Sequence, residues 1–247
     1  MNNIEFAILN LLGSIVAGLF GALTWLGGGV TVVPMLTLIF GVDIRYAAGA
    51  PLTSVMATSS EAAAAYVRDG FTNVRIGTFL AIATTVGGIV GAITAARLTT
   101  SHITVIFGLV LIYSAWLSSR PKKDQPDAFA PDPFAVRLNM DSNYPTPLGM
   151  QQYQVRHVPQ GFVLMLIAGA ISGLLGIGSG AIKVLAINHV MQLPFKVLTT
   201  TNNFMIGVTA AANVGVYLNR GYVEPGLAMP VMLGVLAGSL LGARYCS

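Results

Sequence analysis

Charge is what this 247-residue chain has least of. Only 9% of its residues are Asp, Glu, Lys or Arg, while 54% are hydrophobic and mean hydropathy is +0.73. A soluble globular chain carries about a quarter charged residues, so there are too few here to cover a water-facing surface. A solvated enzyme domain, a disordered tail protein and a nucleic-acid-binding domain are all excluded on that ground. The pI near 9.4 looks like a nucleic-acid signal, but the net charge is only +4 and is spread over short turns. That is the pattern left by cytoplasmic anchoring of membrane helices. Cysteine is almost absent too: Cys246 stands alone, which excludes a disulfide framework and any multi-cysteine metal site. The chain also lacks a basic leader, since Met1-Asn2-Asn3-Ile4-Glu5 precedes an apolar run too long for a signal peptide. The first apolar segment is therefore expected to remain in the membrane.

What is present is long apolar sequence. Crossing about 30 Å of hydrocarbon takes about 20 apolar residues in a helix. Seven stretches qualify or nearly do: 4–40, 47–67, 76–96, 103–117, 161–193, 197–218 and 225–243. Strand-type alternation is missing, so the expected fold is an all-α polytopic membrane protein and not a β-barrel. Two stretches are too long for one span and carry glycine clusters, Gly27-Gly28-Gly29 before Pro34 and Gly178-Ser179-Gly180. Glycine and proline break or bend helices, so both stretches read as bent or re-entrant.

Residues 118–160 hold nine of the 22 charged residues and seven of the 12 prolines. They read as a solvated cytoplasmic linker with some short strand structure and no packing role. It separates a first membrane unit, residues 1–117, from a second, residues 161–247. The two halves align without a gap at an offset of 151: Gly18 with Gly169, Gly27 and Gly29 with Gly178 and Gly180, Tyr66 with Tyr217, Gly70 with Gly221, Gly87 with Gly238. Such duplication is the usual build of secondary transporters. The counterpart of the fourth stretch would begin near position 254, so a last segment is expected to be missing from the given chain.

Charge placement leaves two topologies open. If every stretch crosses once, the repeats are parallel, and the turns after stretches two, four and six hold eight Lys/Arg against four. If the broken stretches do not cross, the repeats are inverted, the N-terminus lies outside, and the split is nine to three. Either way the linker is cytoplasmic.

Candidate site residues follow from what is costly in lipid. A helix restarting at depth has unpaired N–H groups and a positive dipole end, which suit an anion. That puts Gly27, Gly28, Gly29, Gly178, Ser179 and Gly180 at a substrate site. Close packing through small residues is the competing explanation. Lys183, one turn beyond Gly180, would be an intramembrane ammonium, which usually lines a site or pairs with an acid. Thr53, Ser54 and Ser59 in the second stretch, and Thr200, Asn202 and Asn203 in the sixth, supply donors for an oxyanion; helix–helix bonding or capping would equally explain them. Glu61 is the one acid well inside a stretch, a candidate for proton coupling or a structural partner for Lys183. No metal site, catalytic triad or P-loop is present, so no enzyme activity and no cofactor are expected. The expected partners are a small anionic substrate and the lipid bilayer, with no nucleic acid; a homo-oligomer stays open.

The runs Gly18-Leu19-Phe20-Gly21, Gly27-Gly28-Gly29-Val30 and Gly173-Leu174-Leu175-Gly176-Ile177-Gly178-Ser179-Gly180-Ala181-Ile182-Lys183-Val184 resemble the sulfite exporter TauE/SafE family of membrane permeases. Thr53-Ser54, Ala57-Thr58-Ser59-Ser60 and Tyr66 with Gly70 resemble its second segment. Ser179 departs from the family's middle glycine, Leu185 stands where proline is common, and Glu61 lies outside the pattern. The resemblance implies an inner-membrane secondary carrier for sulfite, sulfonates or thiosulfate, driven by ion gradients. The glycine clusters and Lys183 would line its site. The alternatives are a non-transporting scaffold or assembly factor for a sulfur-handling enzyme, and an ion channel.

Overall fold

A computed structural model describes residues 3–24, 29–68, 70–118, 132–146, 149–176 and 193–246, with Lys183, Ile187, Val190 and Met191. The chain is helical almost throughout these residues. Helix α1 spans Asn3–Thr24, and α2 spans Gly29–Pro34 and runs on into a π-helical turn, Met35–Ile39. Then come α3 (Ile44–Arg68), α4 (Val74–Ala95) and α5 (Thr100–Ser118). The linker holds a short helix α6 (Pro133–Arg137) and an antiparallel hairpin of β1 (Ser142–Thr146) and β2 (Gly149–Tyr153), with Tyr144 opposite Gln151. Helices α7 (Val158–Leu175), α8 (Phe195–Asn219) and α9 (Pro225–Cys246) complete the described elements.

Three of these helices, α4, α7 and the first 18 residues of α9, are long and apolar enough to cross a membrane. Large apolar side chains such as Leu38, Leu109, Ile112 and Trp116 are exposed on the outside of the bundle. A water-soluble protein does not show its core residues this way; lipid supplies the missing apolar surroundings. Helix contacts run through glycine. A methyl on Gly87 would strike the Leu166 carbonyl oxygen, and one on Gly91 would strike that of Ala170, so α4 and α7 touch backbone to backbone. Where lipid removes the hydrophobic drive between helices, such close approach is what holds them.

The linker packs, contrary to the expectation of a free loop. Ala135, Met140, Tyr153 and Val155 are buried in one cluster with Ile76 and Leu80 of α4, Met165 of α7, Ile187, Met191, and Val197 and Leu198 of α8. Asn73 ties this end together. Its Oδ1 accepts from Ile76 N and caps α4, its Nδ2 donates to Met140 O (2.8 Å), its side chain meets the Tyr153 hydroxyl (2.7 Å), and its backbone N–H donates to Thr201 Oγ1 (3.1 Å). The physical reason is that polar groups at helix starts need partners, and the linker provides them. Burial holds the Tyr153 phenol above its ordinary range, so it stays a neutral hydrogen-bonding group.

The opposite end gathers Ile44 of α3, Ala95 of α4, Ile103 of α5, Leu175 of α7 and Leu227 of α9. Both interrupted stretches double back to the end from which they set out. Phe6 at the start of α1 stacks edge-on against Phe40 after the π-turn, 5.4 Å between ring centres, and both rings pack on this far cluster. His157 Nδ1, just before α7, lies 3.3 Å from Val190 O, and Met191 fills the space beside Gly161, at the linker end. The chain thus starts its first hairpin from the far end and its second from the linker end.

Helices α3 and α8 are both 25 residues long and begin 151 positions apart; α4 and α9 are both 22 and begin 151 apart. Gly87 faces Leu166 O and Ala170 N, while Gly238 faces Ile15 O and Leu19 N; Gly18 faces Val235 O, while Gly169 faces Thr84 O. Each of these contacts maps onto its fellow by the same offset. The turns match as well. Phe71 N donates to Tyr66 O around Gly70 (φ +75°), and Tyr222 N donates to Tyr217 O around Gly221 (φ +72°). Both are helix ends closed by a left-handed glycine.

Candidate functional site

The site must be built from groups that are expensive to bury. Among the described residues, the groups buried with no hydrogen-bond partner include Ser54 Oγ on α3, Ser172 Oγ on α7, Lys183 Nζ and both polar atoms of the Asn213 side chain on α8, besides Asn10 Oδ1 and Ser14 Oγ on α1 and Thr85 Oγ1 on α4. An unpaired buried polar group costs about 1–3 kcal/mol, and an unpaired charge several times that. Lys183 is the extreme case, fully enclosed at 0% exposure. It is helical, as are Ile187, Val190 and Met191 on the same face. Lys183 stands eight residues ahead of Met191, which packs against Gly161 at the linker end. Its side chain is enclosed by protein along its whole length, so its amine does not reach the surface. Its counterpart at the offset of 151 is Val32, also fully buried. The charge therefore occurs in one half only.

The remaining candidates fall out as follows. Gly29 is buried and opens α2, about 16 Å of helix ahead of Phe40 at about 1.5 Å per residue, so this helix begins at mid-depth. Gly27, Gly28, Gly178, Ser179 and Gly180 lie outside the described residues. Thr53 is half-buried and its hydroxyl donates to Ala50 O (2.8 Å). Ser59 is buried, and Gly207 of α8 lies against it and Ser60. Thr200 uses its hydroxyl to join α8 to the α3–α4 turn through Phe71 O (3.0 Å) and to its own helix through Lys196 O and Val197 O. Asn202 is buried and Asn203 half-buried beside it. Glu61 belongs to α3, but its side chain is outside the described residues.

The sequence reading missed Asn213 and Ser172. Asn213 lies beyond the Thr/Asn group that opens the sixth stretch, and Ser172 is a single small hydroxyl just ahead of the glycine-rich run that begins at Gly173. An asparagine inside an apolar run, ten residues after Asn203 and six before the helix end at Asn219, is the signal that would have found the first.

Helices with bare apolar exteriors, two interrupted stretches that turn back on themselves, and a fully enclosed lysine among them make the build of a membrane transporter. The chain belongs to the sulfite exporter TauE/SafE family, whose model matches residues 9–247. It is similar to the probable membrane transporter protein YunE of Bacillus subtilis, 26% identical over 97% of this chain and 88% of the relative. It is also similar to the probable membrane transporter protein YdhB of the same organism, 25% identical over 96% and 87%. No solved structure matches it.

Proposed function

We propose that the protein is an inner-membrane secondary carrier, not an enzyme, that moves a small sulfur-containing oxyanion of the sulfite, sulfonate or thiosulfate class and is driven by an ion gradient. The observation that carries this reading is Lys183, enclosed and without a partner among the described residues. An ammonium in that position is stable only with a counter-charge, and a tetrahedral or pyramidal oxyanion supplies one together with acceptors for the unpartnered hydroxyls of Ser54 and Ser172. Gly29 and the clusters at Gly27-Gly28 and Gly178-Ser179-Gly180 would add backbone donors, with Thr53, Ser59, Asn202 and Asn203 around them. Thr200 would act by fixing the start of α8. The family description and the relatives' names support transport; sulfite comes from the family description, and sulfonates and thiosulfate from the resemblance drawn on the glycine-rich runs.

The same reading takes the two halves as inverted copies of one unit with residues 118–160 between them. The recurring glycine contacts and the hairpins returning to opposite ends support it.

The test is uptake of labelled sulfite, sulfoacetate and thiosulfate into proteoliposomes holding the purified chain. Saturable uptake of one of the three is expected, and Lys183→Ala should reduce it at least about 100-fold, the usual scale for removing a buried charged contact. Wild-type uptake by Lys183→Ala would remove the site. Glu61→Gln tests proton coupling separately: if protons drive uptake through Glu61, the variant loses its response to a pH gradient while still exchanging anion.

A further inference from the structure

A second set of buried polar atoms lies between α4 and α8, and the anion site does not use it. Thr84 of α4 and Thr209 of α8 face each other, 2.9 Å between hydroxyl oxygens. Thr209 donates its proton to Met205 O at 2.8 Å, and Thr84 has Ala81 O at 3.1 Å. The two protons are thus taken up within the pair and its helices, and most of the four oxygen lone pairs are left without a donor. One turn along each helix are Gly88 and Asn213. The Asn213 side chain is fully buried, with Oδ1 and Nδ2 both unpartnered. It fits only because Gly88 has no side chain: a methyl there would lie 2.6 Å from Asn213 Oδ1 and 3.2 Å from Thr209 Cγ2. Helix α7 closes the third side, with Gly173 against the Gly88 carbonyl and Gly173 O accepting from the Tyr217 hydroxyl (3.0 Å).

We propose that Thr84, Thr209 and Asn213 form a binding site for an alkali cation, Na+ above all, and that this ion is the one whose gradient drives the carrier. The chemistry of the donors selects the class. They are hard, neutral oxygens on two facing helices, the Asn213 amide one turn beyond the threonine pair, with no His, Cys, Asp or Glu cluster fit for a metal among the described residues. Neutral oxygens do not repay the dehydration of a divalent ion and do not suit a soft one. Carriers of broken-helix build coordinate Na+ with neutral backbone oxygens near the bilayer midplane, and neutral side-chain oxygens offer the same hard donor chemistry. The packing glycines recur at the 151 offset, but these groups do not. Thr84 corresponds to Val235, Gly88 to Ser239 and Asn213 to Ala62; only Thr209 has a like partner, Thr58. Like Lys183, the site exists once per chain, as a single coupled ion requires. As a coupling site it rests on the carrier reading; as a cation site it does not.

The experiment is thermal unfolding of the purified full chain in detergent, with NaCl replacing choline chloride at constant ionic strength. Na+ is expected to raise the melting temperature saturably, with K+ giving a smaller rise. The near-isosteric Asn213→Leu and Thr209→Val should abolish the Na+ response while still unfolding cooperatively. Asn213→Asp, which adds a formal charge to the same oxygens, should lower the half-saturating Na+ concentration about tenfold. Identical melting curves in Na+ and choline would overturn the proposal and mean that water fills the site. A Na+ response undiminished in both isosteric variants would overturn it too, placing the ion elsewhere. If the Na+ response behaves as expected but none of the three anions is taken up, the cation site stands and the anion assignment falls. Uptake without any Na+ response leaves the carrier and removes this site.

Discussion

At the scale of single residues, stability and function pull Lys183 in opposite directions. An enclosed cation without a counter-charge destabilises the fold, and replacing it by an apolar side chain of similar length is neutral or stabilising. Lys183→Met should therefore leave the melting temperature unchanged or raise it by a few degrees, while abolishing anion uptake. Lys183→Arg is the sharper comparison. It keeps the charge but brings a planar fork of five donors into a space closed on all sides, so it is expected to lose uptake and to melt lower than Lys183→Met. A Lys183→Met protein that unfolds well below wild type would mean that the ammonium has a structural partner, with Glu61 the first to examine. The same reasoning separates Thr200 from Lys183. Its hydroxyl proton already serves backbone carbonyls, so its loss costs about 1 kcal/mol and leaves transport at the same order of magnitude.

At the scale of helices, glycine decides what touches what. Gly87 and Gly238 meet backbone in equivalent ways, Gly87 against Leu166 O and Gly238 against Ile15 O. A methyl at either forces two helices apart, at a cost of about 1–3 kcal/mol or more, so Gly87→Ala and Gly238→Ala are expected to lower the melting temperature by similar amounts. Gly215 is the control: nothing lies within 4 Å of a methyl there. As a glycine inside α8, it should give about 0.5–1 kcal/mol of stabilisation on change to alanine. Unequal losses at Gly87 and Gly238 would show that the two helix pairs are not built alike. These glycines also mark how much was legible in the letters. Apolar length gave the helices, Gly-rich breaks gave the interruption between α1 and α2, and the 151 offset is the spacing of α3 from α8 and of α4 from α9. The cap formed by Met140 and Tyr153 was not legible. Those side chains sit in a stretch crowded with proline and charge, and their burial depends on the exposed starts of α4, α7 and α8, which no local pattern announces. Asn213 was missed for a related reason: an isolated amide becomes costly only once its neighbours prove to be Gly88 and apolar packing.

At the scale of the whole molecule, the proposed hairpins predict which charges share a side. With the chain back at the far end by Phe40 and back at the linker end by Val190 and Met191, the net crossings from one end to the other are those of α3, α4, α5, α8 and α9. Arg68, Arg75, Arg120, Lys122, Lys123, Arg137, Arg156, Lys196 and Arg244 then belong to the linker side, and Arg45, Arg97 and Arg220 to the far side, nine against three with Lys183 apart. Positive side chains mark the cytoplasmic face, so the linker is expected inside and the N-terminus outside. Single cysteines make this measurable, in a Cys246→Ser background so that the native thiol is silent. Gln151→Cys on the exposed β2 strand should react with a membrane-impermeant maleimide only in inverted vesicles. Glu5→Cys at the exposed start of α1 should react only in right-side-out vesicles or whole cells. Labelling of both from the same face would require one hairpin to cross the bilayer, which would make the two halves parallel. It would also move Lys183 and Gly29 apart, and the anion site proposed between them would lose its geometry.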